Sequence, residues 1–217
     1  MTRPGADRPP TRRQLAAEQT RRKLLAAALD AFSRRPYAEV TIGGIARSAG
    51  VAHGLLSHHF NGKEGLYAEA VREAGRLLRA AQDTGSDAPP AERIRERFRA
   101  HLEFLAGHEA LALNLILRPA EVTEVAWQAF ESARRDGVRA ICGLLGLDPD
   151  DAAVRPAMCA FTAAADEMTL QWLKDGRAVG TDAVVEALVE LLEGAIRSAR
   201  SLAPELDLDE VLVRLRS

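Results

Sequence analysis

Aromatic residues are scarce in this sequence, since Phe, Trp and Tyr together make up 5% of its 217 residues. Strands favour aromatic and β-branched side chains, so this scarcity disfavours a sheet protein. No uninterrupted apolar run reaches the roughly 18 residues that a membrane-spanning helix needs, and the first residues lack the apolar core of a secretory signal. The sequence therefore predicts a protein of the cytoplasm with no membrane partner.

Cysteine is also scarce, because only Cys142 and Cys159 occur and they form no CxxC pair. We expect both to be small buried apolar residues in a reducing compartment. The spacing of His53, His58 and His59 does not place two zinc ligands on one helical face with an obvious third. The G-x-S-x-G, Walker and H-E-x-x-H motifs and the E-x-x-H spacing of di-iron bundles are absent too. These absences predict a protein that is not an enzyme and holds no metal or other cofactor.

Alanine and leucine are plentiful, and they supply most of an apolar content of 47% that favours helices. Apolar residues recur at helical spacing along the chain, with no strand-like alternation and no repeat. Proline and glycine separate these segments. The pattern predicts an all-α protein, with two short helices within 41–60 and further helices at about 21–34, 63–81, 90–107, 109–117, 121–145, 149–174, 181–203 and 210–215.

The most specific pattern is TIGGIARSAGVAHGLLSHHFNGK, which begins at Thr41. The Thr41 hydroxyl can cap the first helix, and Gly50 suits the left-handed conformation that ends one. Leu55, Leu56 and Phe60 give a second short helix its own apolar stripe. Two short helices around a glycine turn form a helix-turn-helix, whose second helix fits the major groove of DNA. The alternative is an ordinary helical hairpin inside the core.

Charge separates these two alternatives. Residues 1–63 carry 11 Lys and Arg against 4 Asp and Glu, whereas residues 64–217 carry 18 against 27. A near-neutral total of −2 therefore hides a basic end and an acidic remainder. A basic segment that contains a helix-turn-helix suits a polyanion such as DNA.

Over about residues 20–70 the chain resembles the TetR-type bacterial transcriptional repressors. The resemblance rests on Ala26, Ala27, Phe32, Thr41, Ile45, Ala46, Ala49, Gly50, Val51, Gly54, His59, Phe60, Lys63 and Glu64. At two positions the chain departs from that pattern: Ala52 replaces the Ser or Thr that usually caps the recognition helix, and Ser57 replaces a Tyr. The resemblance implies a three-helix N-terminal head and a C-terminal helical domain that dimerises and binds a small-molecule effector.

We therefore predict three parts: an arm over 1–14, a helix-turn-helix DNA-binding domain over 15–62, and an effector-binding and dimerisation domain over 63–217. The arm has four arginines, three prolines and no apolar periodicity, so we expect it to be disordered. It either solubilises the chain or adds contacts to phosphates or the minor groove.

The recognition helix supplies the predicted DNA contacts. Its early side chains are expected at base edges, where imidazoles exchange hydrogen bonds with purines and apolar groups touch thymine methyls. These residues are Ala52, His53, Gly54, Leu55 and His58. Phosphate contacts are expected from Thr41, Ser57, His59 and Lys63 by the family resemblance, and from Arg47 by its charge.

If the resemblance extends to the C-terminal half, that half holds a mostly apolar pocket, which favours a lipophilic effector. Rare aromatic and polar residues on apolar faces are the candidates for its lining, with plain core packing as the alternative for each. They are His101, Phe104, His108, Asn114, Trp127, Met158, Phe161, Thr162 and Asp166. A buried Asp166 carboxylate needs a partner, which is a ligand amine, an arginine such as Arg139, or solvent.

Together these patterns predict a homodimeric repressor of the bacterial cytoplasm, associated with the nucleoid. The family resemblance implies that the last two long helices of each chain pair across a two-fold axis, so the DNA operator should be a near-palindrome. The alternative from another class is a ligand-binding or catalytic helical bundle that binds no DNA.

Overall fold

The computed structural model describes residues 11–117 and 123–216, which form ten α-helices and no strand. The all-α prediction is confirmed. The helices are α1 Arg12–Arg34, α2 Ile42–Ala49, α3 His53–Phe60, α4 Gly62–Gln82, α5 Pro90–Gly107, α6 Glu109–Leu111, α7 Glu124–Leu145, α8 Val154–Lys174, α9 Thr181–Leu202 and α10 Asp209–Arg216. A 3-10 turn at Tyr37–Glu39 precedes α2, and α6 continues into a π-helical turn at Ala112–Ile116.

Helix α1 begins earlier than predicted because a capping box fixes its start. The Thr11 hydroxyl accepts a hydrogen bond from the backbone N–H of Gln14 at 3.3 Å, and the Gln14 side chain accepts one from the Thr11 N–H at 2.8 Å. Reciprocal bonds of this kind satisfy two N–H groups that a helix start leaves unpaired. The prediction of a disordered arm is therefore wrong for residues 12–14, and residues 1–10 lie outside the described chain.

The first hydrophobic core stabilises the N-terminal helices. We call α1, α2 and α3 together the head. The ring of Phe32 meets that of Tyr67 edge-on at 4.8 Å between centroids, and Tyr37 lies 4.9 Å from Tyr67. Leu24 and Leu56 are fully buried in the same cluster. Burial, with a smaller contribution from Tyr37, raises the pKa of Tyr67 to about 12, so its phenol stays neutral.

A second core joins α5, α7, α8, α9 and α10, which we call the C-terminal domain. Helix α4 belongs to both cores, because Leu66 and Val71 pack in the head cluster whereas Leu78 packs against the second. The π turn also contacts the head through Leu115. The head and the C-terminal domain are therefore connected by shared packing and not by a loop alone.

Local chemistry explains two further departures from the predictions. Helix α8 begins at Val154 instead of residue 149, because the Asp151 carboxylate accepts hydrogen bonds from the N–H groups of Ala153 and Val154 at 2.8 and 3.0 Å. Cys142 is buried as expected, but Cys159 lies exposed on α8, so that prediction is wrong for Cys159. Among the described residues, no helix is both long and apolar enough to cross a membrane.

Candidate nucleic-acid interface and ligand cavity

The helix-turn-helix forms from the local features that the sequence indicates. The Thr41 hydroxyl caps α2 by accepting a hydrogen bond from the Gly44 N–H at 3.1 Å. Gly50 ends α2 with φ of 66°, in the left-handed region that glycine enters without strain. Ala52 then starts α3 without any side-chain cap, which leaves the first N–H groups of that helix free for an anion or water.

Helix α3 divides into a buried and an exposed side. Leu56 and Phe60 are buried in the head core and hold the helix in place. The residues predicted to contact base edges are all exposed. Among them, Leu55 is a large apolar residue with 37% of its surface accessible. Ser57 is also exposed, and His59 is half-buried. The structure thus brings Ala52, His53, Gly54, Leu55, Ser57 and His58 together on an open surface of the head.

The imidazole of His53 lies beside α2. A Cβ added to Gly43 would be 3.6 Å from Cδ2 of His53, which is ordinary van der Waals contact. The ring is therefore close to α2 while remaining exposed.

Two of the residues predicted to contact phosphates, Lys63 and Thr41, already form contacts inside the protein. The Lys63 ammonium lies 4.1 Å from the centroid of the Tyr37 ring and 3.4 Å from the carbonyl oxygen of Ala38. Thr41 uses its oxygen for the helix cap, so its hydroxyl proton remains available to a phosphate. Arg47 is exposed on α2, and none of the ion pairs among the described residues involves it.

The head carries further basic groups that were not predicted from the sequence. Arg12 and Arg13 stand exposed in the first turn of α1, where we had expected disorder. Arg21 lies 5.2 Å over the ring of Phe60 and pairs with Glu69 at 2.7 Å, so it joins α1 to α3 and α4. The T-x-x-Q capping box at Thr11 is the feature that could have revealed the helical start.

A cavity of about 130 Å³ lies between α4, α5, α7, α8, α9 and the π turn. Its walls are mostly apolar, with aromatic rings from Phe98, Phe130 and Phe161. Polar side chains also line it. Gln82, Arg97 and His101 form one group, Arg134, Thr162 and Asp166 form another, and Arg79 and Thr169 complete the polar lining.

Four of the nine predicted pocket residues line this cavity, namely His101, Phe161, Thr162 and Asp166. The other five lie elsewhere. Phe104 and His108 stack on each other at 4.4 Å, Asn114 donates a hydrogen bond to the carbonyl of Ser33 at 2.7 Å, Trp127 is 45% exposed, and Met158 packs in the C-terminal core. Gln82, Arg97 and Arg134 were missed because long polar side chains at single positions usually face water.

The partner of Asp166 is Arg134, whose Nε lies 3.4 Å from its carboxylate, and not Arg139, which pairs with Asp136. The Arg134 guanidinium also donates to Thr162 at 2.7 Å and to Glu131 at 3.3 Å. Burial raises the pKa of Asp166 to about 6, although Arg134 acts against that rise. Within the described ranges, no group of three or more residues could hold a metal ion.

Comparison with known proteins agrees with the helix-turn-helix geometry. Residues 24–70 match the family described as bacterial regulatory proteins, tetR family. A regulator named BetI from Ectopseudomonas mendocina is 43% identical over 61 residues, which are 28% of this chain and 31% of that protein. BetI of Escherichia coli K12 is 36% identical over 80 residues, 37% of this chain and 41% of that protein. The chain thus matches about a third of the length of these curated relatives.

Solved structures extend the likeness to the whole fold. A tetR-family transcriptional regulator from Streptomyces coelicolor superposes with a TM-score of 0.74 at 25% identity, over 92% of this chain and 89% of that one. Residues 24–70 thus match the tetR family in sequence, and nearly the whole chain is similar in fold to a regulator of that family. FadR from Bacillus subtilis, solved in complex with stearoyl-CoA, superposes with a TM-score of 0.64 at 21% identity, over 79% of this chain and 96% of its own.

Helix α4 connects α3 to the cavity. It starts directly after α3 and reaches the cavity through Val71, Gly75 and Leu78. A Cβ added to Gly75 would be 3.0 Å from the Cβ of Ala133, so glycine allows α4 and α7 to approach closely there. One continuous helix therefore contributes both to the cavity wall and to the packing of the head.

Proposed function

We propose that this protein is a transcriptional repressor that binds a near-palindromic DNA operator as a homodimer and is released by a small lipophilic effector. Such a repressor acts in the bacterial cytoplasm, at the nucleoid. The observation that carries the proposal is the open face of α3, which lies on the basic part of a chain whose remainder is acidic. A basic head attracts DNA, and an acidic remainder keeps the rest of the molecule away from it.

The roles on the DNA divide by chemistry. Ala52, His53, Gly54, Leu55 and His58 would contact base edges, whereas Thr41, Arg47, Ser57, His59 and Lys63 would contact phosphates. The uncapped start of α3 supports close approach to the backbone, because its N–H groups can donate to a phosphate. Base contacts would set the sequence, and phosphate contacts would set the orientation and most of the salt dependence.

A homodimer through α8 and α9 is supported by the outward side of those helices. Ala160, Ala163 and Ala164 are exposed on α8, and Leu202 is 61% exposed at the end of α9. Small residues allow a second copy of the two helices to approach closely and bury this surface. A two-fold dimer would place two copies of α3 about one DNA turn, roughly 34 Å, or a multiple of it apart.

Release by an effector is supported by the position of the cavity. Its walls include α4, so a ligand that favours one separation of α4 and α7 would change the spacing of the two heads. A 100-fold loss of operator affinity requires about 2.7 kcal/mol of preference for the non-binding spacing. The largely apolar lining supports a lipophilic molecule, and the FadR structure with stearoyl-CoA is a precedent in the same fold.

Electrophoretic mobility shift with genomic fragments tests the proposal. The expected result is one or a few fragments that are retarded against excess competitor DNA and that contain a near-palindrome. His53→Ala should relax the preference at one base position of each half-site, with a cost of about 1–3 kcal/mol for the preferred sequence. If no fragment binds specifically even at low salt, the repressor assignment is wrong. Light scattering of the free protein checks the dimer.

A further inference from the structure

The charges that line the cavity are unequally paired. Arg79 lies 3.5 Å from Asp136, and Arg134 lies beside both Glu131 and Asp166. Arg97 differs, because Asp83 attracts its guanidinium through space while no described residue accepts a hydrogen bond from it. Burial lowers the pKa of Arg97, but an arginine stays charged at neutral pH. The cavity lining therefore includes a half-buried cation to which no described residue provides an acceptor oxygen, so that a ligand acceptor could replace the solvent around it.

His101 adds a second donor on the same face of α5. It follows Arg97 by one helical turn, so both side chains project to the same side and both line the cavity. Its Nδ1 lies 2.7 Å from Nε2 of Gln82, an amide nitrogen that can only donate. Burial and the neighbouring Arg97 lower the pKa of His101 to about 4, so the ring is neutral at pH 7, and the tautomer whose Nδ1 accepts from Gln82 carries its proton on Nε2. That N–H is free to donate to a ligand.

The surroundings of these two donors are apolar. Leu78, Phe98 and Ile141 line the same cavity, and Phe161 and Leu188 add apolar wall from α8 and α9. An apolar wall strengthens a charge-assisted hydrogen bond because little water competes for the donors. A ligand that satisfies Arg97 and also covers this wall has an acceptor head and an apolar body.

A cationic ligand fits less well. The carboxylate that such a ligand would use is Asp166, which Arg134 already approaches at 3.4 Å. A bound amine would compete with that guanidinium and would also lie in the same cavity as Arg97. The Arg134 Nε is itself buried without a hydrogen-bond partner, so this side of the cavity too has an unused donor.

We infer that the effector is an amphiphilic carboxylate whose head group is bound by Arg97 and His101 and whose apolar body lies against Phe98, Ile141 and Phe161. The inference rests on the proposed function, in that it names the chemical class of the molecule that would release the operator. It adds a specificity determinant, since a neutral molecule of the same shape would leave the Arg97 charge without an acceptor.

Calorimetry of the full chain without DNA tests the inference with three probes of one chain length: octanoate, octanol and octylamine. Octanoate should bind at least tenfold more tightly than either of the others. Arg97→Gln should weaken octanoate about 10- to 100-fold and leave octanol unchanged, because only the carboxylate loses a charged partner. Arg79→Gln is the matched control, since that arginine lines the same cavity but has Asp136 as its partner. It should change octanoate binding by less than about threefold.

Several outcomes overturn the inference. Octylamine that binds more tightly than octanoate would assign a cationic effector, and equal binding of octanol would show that the head group is not recognised. If the Arg97 and Arg79 variants lose the same amount of octanoate affinity, the loss reflects the total positive charge of the cavity and not a specific contact with Arg97. If octanoyl-CoA binds more tightly than octanoate, the effector is an acyl thioester and not a free carboxylate. Circular dichroism melting of each variant shows that it is folded, and Arg97→Lys gives a second variant that keeps the charge and should retain part of the affinity.

The inference and the proposed function can fail separately. If octanoate binds through Arg97 but no DNA fragment is recognised, the carboxylate site stands and the repressor assignment falls. If a specific operator is found and a compound without an acid releases it while octanoate does not bind, the repressor assignment stands and the carboxylate site falls.

Discussion

His53, Ser57 and His58 stand in water on the head, whereas Arg97, Arg134 and Asp166 of the C-terminal domain face a cavity with aromatic walls. The head surface is fixed by short-range bonds such as the Thr41 cap, and its buried rings fill their core. The C-terminal domain leaves space between its helices and places charges beside that space. The head therefore has a filled core beneath its exposed surface, whereas the C-terminal domain has room for a ligand between its helices.

The largest expected effect compares a buried phenylalanine from each region. Phe32→Ala should destabilise the protein by about 3–5 kcal/mol, because the 1% exposed ring touches Tyr67 and its loss leaves a new cavity. Phe161→Ala should cost less, about 1–3 kcal/mol, because part of its ring already faces empty space. Urea unfolding measures both. Equal losses would mean that the head and the cavity walls are packed equally well.

The second prediction concerns the buried carboxylate of the cavity. The pKa of Asp166 in the folded chain is raised to about 6, above its ordinary value of 3.8, so the folded state holds its proton more tightly than the unfolded state. Stability from this group is present at low pH and is lost as the pH rises from about 4 through 6. The stability of Asp166→Asn relative to the native chain should therefore increase as the pH rises from 4 to 7. At pH 7 the variant should be more stable by about 1–3 kcal/mol.

Thermal melting across pH 4–8 of both proteins gives the difference. His101 acts in the opposite direction over the same range, because its pKa is lowered to about 4 and its contribution is lost as the pH falls below 6.5. It is present in both proteins, so it cancels in the comparison. A difference that does not change with pH would mean that Asp166 is solvated enough to titrate normally, and the contrast with the head would weaken.

The same contrast explains which parts could be predicted. The helix-turn-helix followed from residues a few positions apart, since Thr41 caps the helix that begins beside it and Gly50 ends it. The α1 start was missed although Thr11 and Gln14 carry an equally local signature, because charge and proline beside them suggested disorder. Where side chains three or four residues apart decide the structure, the sequence suffices.

The cavity depends on contacts between distant segments. Arg134 meets Asp166 across two helices, and Gln82 meets His101 across a loop, so no spacing rule indicates either pair. Choosing rare aromatic and polar residues correctly predicted that His101 and Phe161 line the cavity. The same criterion also selected Asn114, which instead donates a hydrogen bond to the end of α1. Residue type alone does not tell a cavity wall from a packed core, because both consist of the same side chains.

A smaller effect tests the close approach of α4 and α7. Gly143→Ala, on the exposed side of α7 with open space around it, should stabilise the chain by about 0.8–1 kcal/mol through helix propensity. Gly75→Ala should gain less or lose stability, because its Cβ would lie 3.0 Å from that of Ala133. Urea unfolding measures both changes. The same gain at both sites would show that α4 and α7 separate freely, and the proposed connection between cavity and head would lose its basis.

The smallest effect lies within the head and separates two cations. Arg47→Ala and Lys63→Ala should each lower the slope of log affinity against log salt by about one unit, if both side chains neutralise a phosphate. Lys63→Ala should in addition destabilise the free protein by about 0.5–1 kcal/mol, because its ammonium lies 4.1 Å from the Tyr37 ring. Arg47→Ala should leave stability unchanged. A Lys63 variant that loses stability but keeps the native salt slope would show that this lysine supports the head from within and does not reach the DNA.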